Sequence, residues 1–301
     1  MAQGSVVISV DAELGWGFHD LPNPPRRRVE SARYGWRKLR GLCNRYDVPA
    51  TWAVVGHLLL SECDGRHDRH PTPPDWFRRE RTDWADRPDL RFGPDLVRSL
   101  ADSPVDHEIG CHTFSHVCFD DVRLDAETVR AELQAAADVA AALGIEYDSF
   151  VFPRNAVGYR NVLAEEGFSA YRGGRSLIGG PRGQLAKIAA AASPSRVQTS
   201  QPHIDEYGLV NVPPSLFLFG FEGPVRRVCE AVWTDPVYRQ AAALVDRALE
   251  TGSIAHLWLH PNNLTGAADV ERMRRILQYI DDRRDDGLRV ETMADVAERV
   301  R

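Results

Sequence analysis

Val6-Val7-Ile8-Ser9-Val10-Asp11-Ala12-Glu13-Leu14-Gly15-Trp16-Gly17 decides how the rest of the chain is read. A β-branched run without polar alternation is a strand covered on both faces, and such strands belong to parallel sheets flanked by helices. The run stops at two carboxylates and two glycines. Side chains two apart on a strand share a face, so Asp11 and Glu13 can enter one site together. Acidic residues at strand ends are also common in solvated loops, so the pair gains meaning only from what the other strands end in.

The same grammar recurs along the chain. Helical spacing over 29–46 leads into a buried strand at 49–56, and strand, helix, strand is a parallel crossover unit. Further helices are predicted at 94–101, 125–143, 159–166, 236–251, 267–284 and 293–301. Strands are predicted at 108–111, 149–152, 169–172, 253–259 and 288–291. Alternation over the whole length predicts a single α/β domain spanning 1–301, with its parallel sheet open or barrelled. Two long insertions interrupt it, at about 60–92 and 173–224. The stretch 201–224 has no assignable period. Cys63, His67 and His70 sit in the first insertion, where a charged loop without a rigid scaffold predicts solvated side chains.

Composition removes several classes. Net charge is -6, from 43 acidic and 37 basic residues spread along the chain, so there is no basic stripe for nucleic acid. No apolar run approaches the ~20 residues of a membrane span. The N-terminal apolar run lacks a basic flank and is too short for a secretory leader. Five cysteines are an odd number at irregular spacing, which fits reduced thiols and a cytoplasmic protein. Nothing in the sequence speaks to oligomeric state.

The second informative stretch is His107-Glu108-Ile109-Gly110-Cys111-His112-Thr113-Phe114-Ser115-His116. His112 and His116 are four apart and share a face if the chain turns into a helix there. Two neutral imidazoles with one carboxylate are a familiar set of ligands for a catalytic zinc with open positions; other divalent first-row metals fit the same donors. Such a metal acidifies water and polarises a carbonyl, which suits amide or ester hydrolysis. A second carboxylate can then act as base and a histidine can protonate the leaving amine. Four predicted strands end in chemistry: Asp11 with Glu13, His112 with His116, Arg154, and His260. In parallel α/β architectures those ends share one rim.

With these segments the chain resembles the polysaccharide deacetylase family, carbohydrate esterase family four. The matching pieces are Val10-Asp11-Ala12-Glu13, Pro49-Ala50-Thr51-Trp52, His112-Thr113-Phe114-Ser115-His116, Phe152-Pro153-Arg154-Asn155 and Leu257-Trp258-Leu259-His260-Pro261. They run in the family's order over about residues 5–265. The resemblance implies a distorted (β/α) barrel of about seven parallel strands with long loop insertions. It also implies metal-dependent removal of acetyl from the nitrogen of amino sugars in a glycan or its precursor. By the same resemblance Asp11 is the general base, His260 the general acid and Arg154 the residue that orients the base. Glu13, His112 and His116 are the metal ligands. One departure stands out: Ala12 occupies the place of the family's second aspartate, and Glu13 follows it. Two other readings remain open, a metal-independent C–N hydrolase of the same fold acting on a small or cyclic amide, and a non-catalytic carbohydrate-binding barrel.

Overall fold

Every residue of β1 (Ser5–Ala12) is buried, because other strands hydrogen-bond along both of its edges. The computed structural model describes residues 3–67, 70–173, 198–219 and 235–301. Along one edge β1 pairs with β9 (Ile254–Leu259); along the other, β2 (Thr51–Val54) takes Ser9 to Ala12 and β10 (Arg289–Glu291) takes Ser5 to Val7. The sheet continues through β3 (Glu108–Cys111), β4 (Ser149–Val151), β5 (Ala170–Arg172), β7 (Val210–Asn211) and β6 (His203–Ile204), and beyond β9 to β8 (Leu216–Phe217). Every named ladder is parallel except β6 with β7. This is the α/β fold expected, a curled (β/α) half-barrel. Among the described residues its sheet has ten strands, where about seven were expected. The additional short strands β6, β7 and β8 fall in the stretch whose sequence shows no period. Of the predicted insertion at about 173–224, residues 174–197 and 220–224 lie outside the described residues.

Helices cover the sheet: α1 (Arg26–Arg45), α2 (Arg78–Arg81), α3 (Pro88–Arg91), α4 (Pro94–Ala101), α5 (Ala126–Ala141), α6 (Arg160–Glu165), α7 (Pro236–Thr251), α8 (Ala267–Asp282) and α9 (Met293–Val300). The stripe Val29, Ala32, Gly35, Trp36, Leu39 and Cys43 is the buried face of α1, at the spacing an amphipathic helix requires. α5 starts where Asp125 accepts a hydrogen bond from the Thr128 amide at 2.8 Å, and α9 starts at a reciprocal Thr292–Asp295 capping box. Both caps satisfy amides the helix itself leaves unpaired. Among the described residues no helix is long and apolar enough to cross a membrane.

Parallel pairing turns the carboxyl ends of β1, β2, β3, β5 and β9 to one rim of the sheet. Asp11 and Glu13, His57, His112, Arg172 and His260 stand at or just past those ends.

Candidate active site and metal centre

Asp11 and Glu13 leave β1 side by side and both are buried. Leu14 then takes a positive φ of 46°, which turns the chain away from the sheet. Three residues later the backbone of Gly17 passes so close that a Cβ there would lie 1.7 Å from Glu13 Oε2. Glycine is what allows the Glu13 carboxylate to lie inside the rim.

The two histidines are brought together by a route the spacing alone does not indicate. Residues 112–116 form no helix. Thr113 and His116 instead adopt positive φ angles of 60° and 64°, and the resulting loop sets the two imidazole centroids 5.1 Å apart. Glu132 of α5 holds the loop from beneath, accepting from the Ser115 amide at 2.9 Å and the Ser115 hydroxyl at 2.6 Å. From the insertion, Trp76 Nε1 donates to the Ser115 carbonyl at 3.0 Å, and His70 Nε2 lies 2.7 Å from Glu132 Oε1. His70 is therefore a packed partner of Glu132 and not a solvated loop residue.

Glu13, His112 and His116 each offer a ligand atom, and those atoms lie within 4.8 Å of one another. His112 Nδ1 is 2.7 Å from the Val151 carbonyl. It donates there, which fixes the tautomer and leaves Nε2 with its lone pair, as metal-ligating histidines are usually held. His116 Nε2 lies 3.0 Å from Glu13 Oε2, and its Nδ1 is buried without a hydrogen bond. Two imidazoles and a carboxylate in this arrangement fit a zinc-type ion with open positions.

His260 follows β9 and places Nε2 2.9 Å from Glu13 Oε1 and 3.7 Å from Asp11 Oδ2. Burial would push the imidazole down, but Glu13 and then Asp11 outweigh it and raise its pKa. Burial likewise opposes ionisation of Glu13, yet His260 and His116 hold the carboxyl well below its ordinary value. His112 is pushed down to about 4, chiefly by burial. At neutral pH it is uncharged.

Arg154 does not reach Asp11. It points outward and pairs with Asp20 at 2.6 Å, its side chain 42% exposed. The place expected of it is taken by Arg172, at the end of β5, which is fully buried and donates to Asp11 Oδ1 and Oδ2 at 2.6 and 2.7 Å. Burial raises the Asp11 carboxyl, but Arg172 and His260 outweigh it and lower its pKa overall. Arg172 is held in turn. Its Nη1 donates to Ser9 Oγ at 3.0 Å, Ser9 Oγ lies 2.8 Å from His256 Nε2, and His256 Nδ1 is 3.0 Å from the Val212 carbonyl. Burial, then Arg172, push His256 down to about 3; a neutral imidazole donating from Nδ1 accepts the serine proton at Nε2, and the serine oxygen accepts from the arginine. Sequence reasoning missed this chain, although Arg172 obeys the same rule as Asp11 and His260, a polar side chain ending a buried strand.

Of the insertion aromatics, Trp84 and Phe92 are buried in packing. Trp76 instead lines a cavity of about 340 Å³ with His19, Asp20, Arg78 and Arg79. The His19 ring lies 4.5 Å from Trp76 and 6.2 Å from His116, so this cavity adjoins the histidines.

Comparison with known proteins follows the geometry. Similar solved structures include a candidate polysaccharide deacetylase from Mycobacterium smegmatis, with 17% identity, a TM-score of 0.64, and coverage of 99% of this chain and 90% of that one. A second, from Pseudomonas aeruginosa PAO1, shows 14% identity, a TM-score of 0.63 and the same coverage. Puue allantoinase shows 13% identity and a TM-score of 0.61, with coverage again of 99% and 90%. At these identities the likeness is one of fold. None of the curated proteins compared with this sequence matches it. The sequence profile described as polysaccharide deacetylase matches residues 29–167, so over that stretch the chain is similar in sequence to the polysaccharide deacetylase family, and over its length it shares the fold of the structures above.

Proposed function

We propose that this chain is a divalent-metal-dependent amidohydrolase that removes an acyl group, in the first instance acetyl, from the nitrogen of an amino sugar in a glycan or its precursor. The observation that carries the reading is the meeting of Glu13, His112 and His116 within 4.8 Å beside an arginine-held carboxylate and a buried histidine of raised pKa. Glu13, His112 and His116 would hold the ion. A zinc-type ion bound there supplies Lewis acidity, polarising a carbonyl oxygen and acidifying water.

The rest is done by the chain's own groups. Asp11 accepts the proton of the attacking water as the new carbon–oxygen bond forms, and the Arg172 fork keeps that carboxylate ionised and aimed. A carboxylate held this low is a weak base, so its partner water must be more acidic than bulk water. His260, kept protonated by Glu13 and Asp11, gives a proton to the nitrogen as the carbon–nitrogen bond breaks. The half-buried Trp76, beside the cavity next to His116, offers a surface for a sugar ring.

The test is acetate release from N-acetylated sugars and lipid-linked sugars, and ring opening of cyclic amides, each before and after chelation. Asp11→Asn should lower turnover by about 100-fold or more with metal content unchanged; equal loss of both would make Asp11 a ligand instead. A second reading has its own observation. Both Glu13 oxygens are already engaged by imidazoles, those of His116 and His260, as a metal-independent hydrolase of cyclic amides would allow. Activity that survives chelation in full would favour it.

A further inference from the structure

A second group of ligand-type side chains lies in the first insertion, sharing no residue with the first. His57 lies in the turn Gly56–Leu59 after β2, Cys63 and His67 follow it, and Glu80 comes from α2. One ligand atom from each lies within 4.8 Å of every other. The measured separations are 3.1 Å from His57 Nε2 to Glu80 Oε1, 3.2 Å from His67 Nε2 to the same oxygen, and 3.4 Å from Cys63 Sγ to His67 Nε2. Around a tetrahedral zinc with ordinary bond lengths, neighbouring ligand atoms are roughly 3.3–3.6 Å apart. The four atoms are already close to that spacing.

Independent observations point to a ligand. His57 is fully buried, and its Nε2 makes no hydrogen bond despite facing the cluster. Its Nδ1 is directed at the Arg91 carbonyl at 3.4 Å, the tautomer that leaves Nε2 as a donor of electrons. Arg91 Nη2 takes Glu80 Oε2 at 2.6 Å, which turns Oε1 towards the histidines. The Gly65 amide donates to Cys63 Sγ at 3.3 Å, as amides do around a ligating thiolate. Phe77 stacks on His67 at 3.7 Å, Phe92 on His57 at 5.5 Å, and Trp16 packs on His57 at 4.4 Å. The shell is aromatic, with His57 and Glu80 buried and Cys63 and His67 partly buried, and a thiolate with a carboxylate balances a doubly charged ion.

We propose that His57, Cys63, His67 and Glu80 form a closed, four-ligand structural zinc site that fastens the insertion to the end of β2. Four protein ligands leave no position for substrate, which is the mark of a structural rather than a catalytic site. The site would fix the segment that carries Trp76 over the His112–His116 loop.

The test uses the full chain loaded with zinc, or with cobalt in its place. The His112→Ala/His116→Ala variant should keep about one zinc per chain. With cobalt it should show the thiolate-to-cobalt charge-transfer absorption that only a cysteine ligand gives. Cys63→Ser should lose that absorption. If Cys63→Ser does not fold, mapping alkylation of Cys63 in the double-histidine variant gives the same answer, with zinc protecting the thiol and a chelator exposing it. A double-histidine variant that binds no zinc, or a cobalt form without the sulfur band, overturns the proposal. Because the band reads cysteine alone, these results stand whether or not the reading of the Glu13 centre holds.

Discussion

Replacing Arg172 with methionine would strand Asp11 in a buried position with His260, 3.7 Å away, as the nearest cation. Removing one partner of a buried ion pair typically costs about 3–5 kcal/mol. Arg172→Met is therefore expected to lower the unfolding free energy read from urea denaturation by that order and turnover by about 100-fold or more. Arg172→Lys keeps the charge but not the two-pronged grip on both oxygens, and should recover stability better than rate. Arg154→Ala removes an exposed pair worth about 0–1 kcal/mol and should leave the turnover number close to that of the parent. At Gly17 the constraint is steric. Gly17→Ala sets a methyl group 1.7 Å from Glu13 Oε2, so the carboxylate must swing away. Metal content measured after dialysis should fall, and with it the rate, by about 100-fold. The carboxylates and histidines were legible because each ends or follows a run of apolar residues. Arg172 was equally legible by that rule, and was passed over because Arg154 sits in the segment that carries the family likeness.

Among elements, α1 and the turn Pro261–Asn263 after His260 touch backbone to backbone. A Cβ at Gly35 would stand 1.8 Å from the Pro261 carbonyl oxygen. Gly35→Ala should cost about 1–3 kcal/mol through overpacking and shift His260, so differential unfolding and the rate of the leaving-group step should move together. A stability loss with unchanged rate would show that the turn yields without moving the imidazole. Long helices such as α1 and α8 were readable because their apolar residues repeat over several turns. The two-residue strands β6, β7 and β8 were not, being shorter than any period that could announce them. The histidine loop shows a further limit, since spacing of four suggested a helix and two left-handed residues achieved the same convergence. The insertion's Cys63, His67 and Glu80 were unreadable as a cluster because packing against β2's end, not local sequence, brings them together.

Over the whole molecule, several histidines are buried neutral. His19, His107 and His112 are pushed down to about 4 and His256 to about 3, in each case chiefly by burial. A histidine whose folded pKa lies below its unfolded value contributes stability above about 6.5 and loses it as pH falls towards the folded value. Glu108, pushed up by burial, works the other way; His57, His67 and His260 are raised despite burial, and the stability they add as pH falls is largely complete by about 6.5. Chelator-treated protein should therefore show a urea midpoint that falls between pH 6.5 and pH 4, before most carboxylates titrate. A flat or rising midpoint across that window would contradict the burial of these rings. The α/β class and the common rim were readable from strand ends. The exact strand count and the chain of contacts behind Asp11 were not, because they depend on which strands become neighbours.

One edge of β1 is divided between two partners: β2 takes Ser9 to Ala12, and β10 takes Ser5 to Val7. During synthesis the upper half of that strand, which carries Asp11, finds its neighbour early. Its lower half waits for β9 and then for β10, the last of the described strands in chain order. Until both have joined, β1 presents an open, apolar edge. Asp11 and Glu13 meet the charged partners that hold them only once β5 and β9 have come to the same rim, bringing Arg172 and His260.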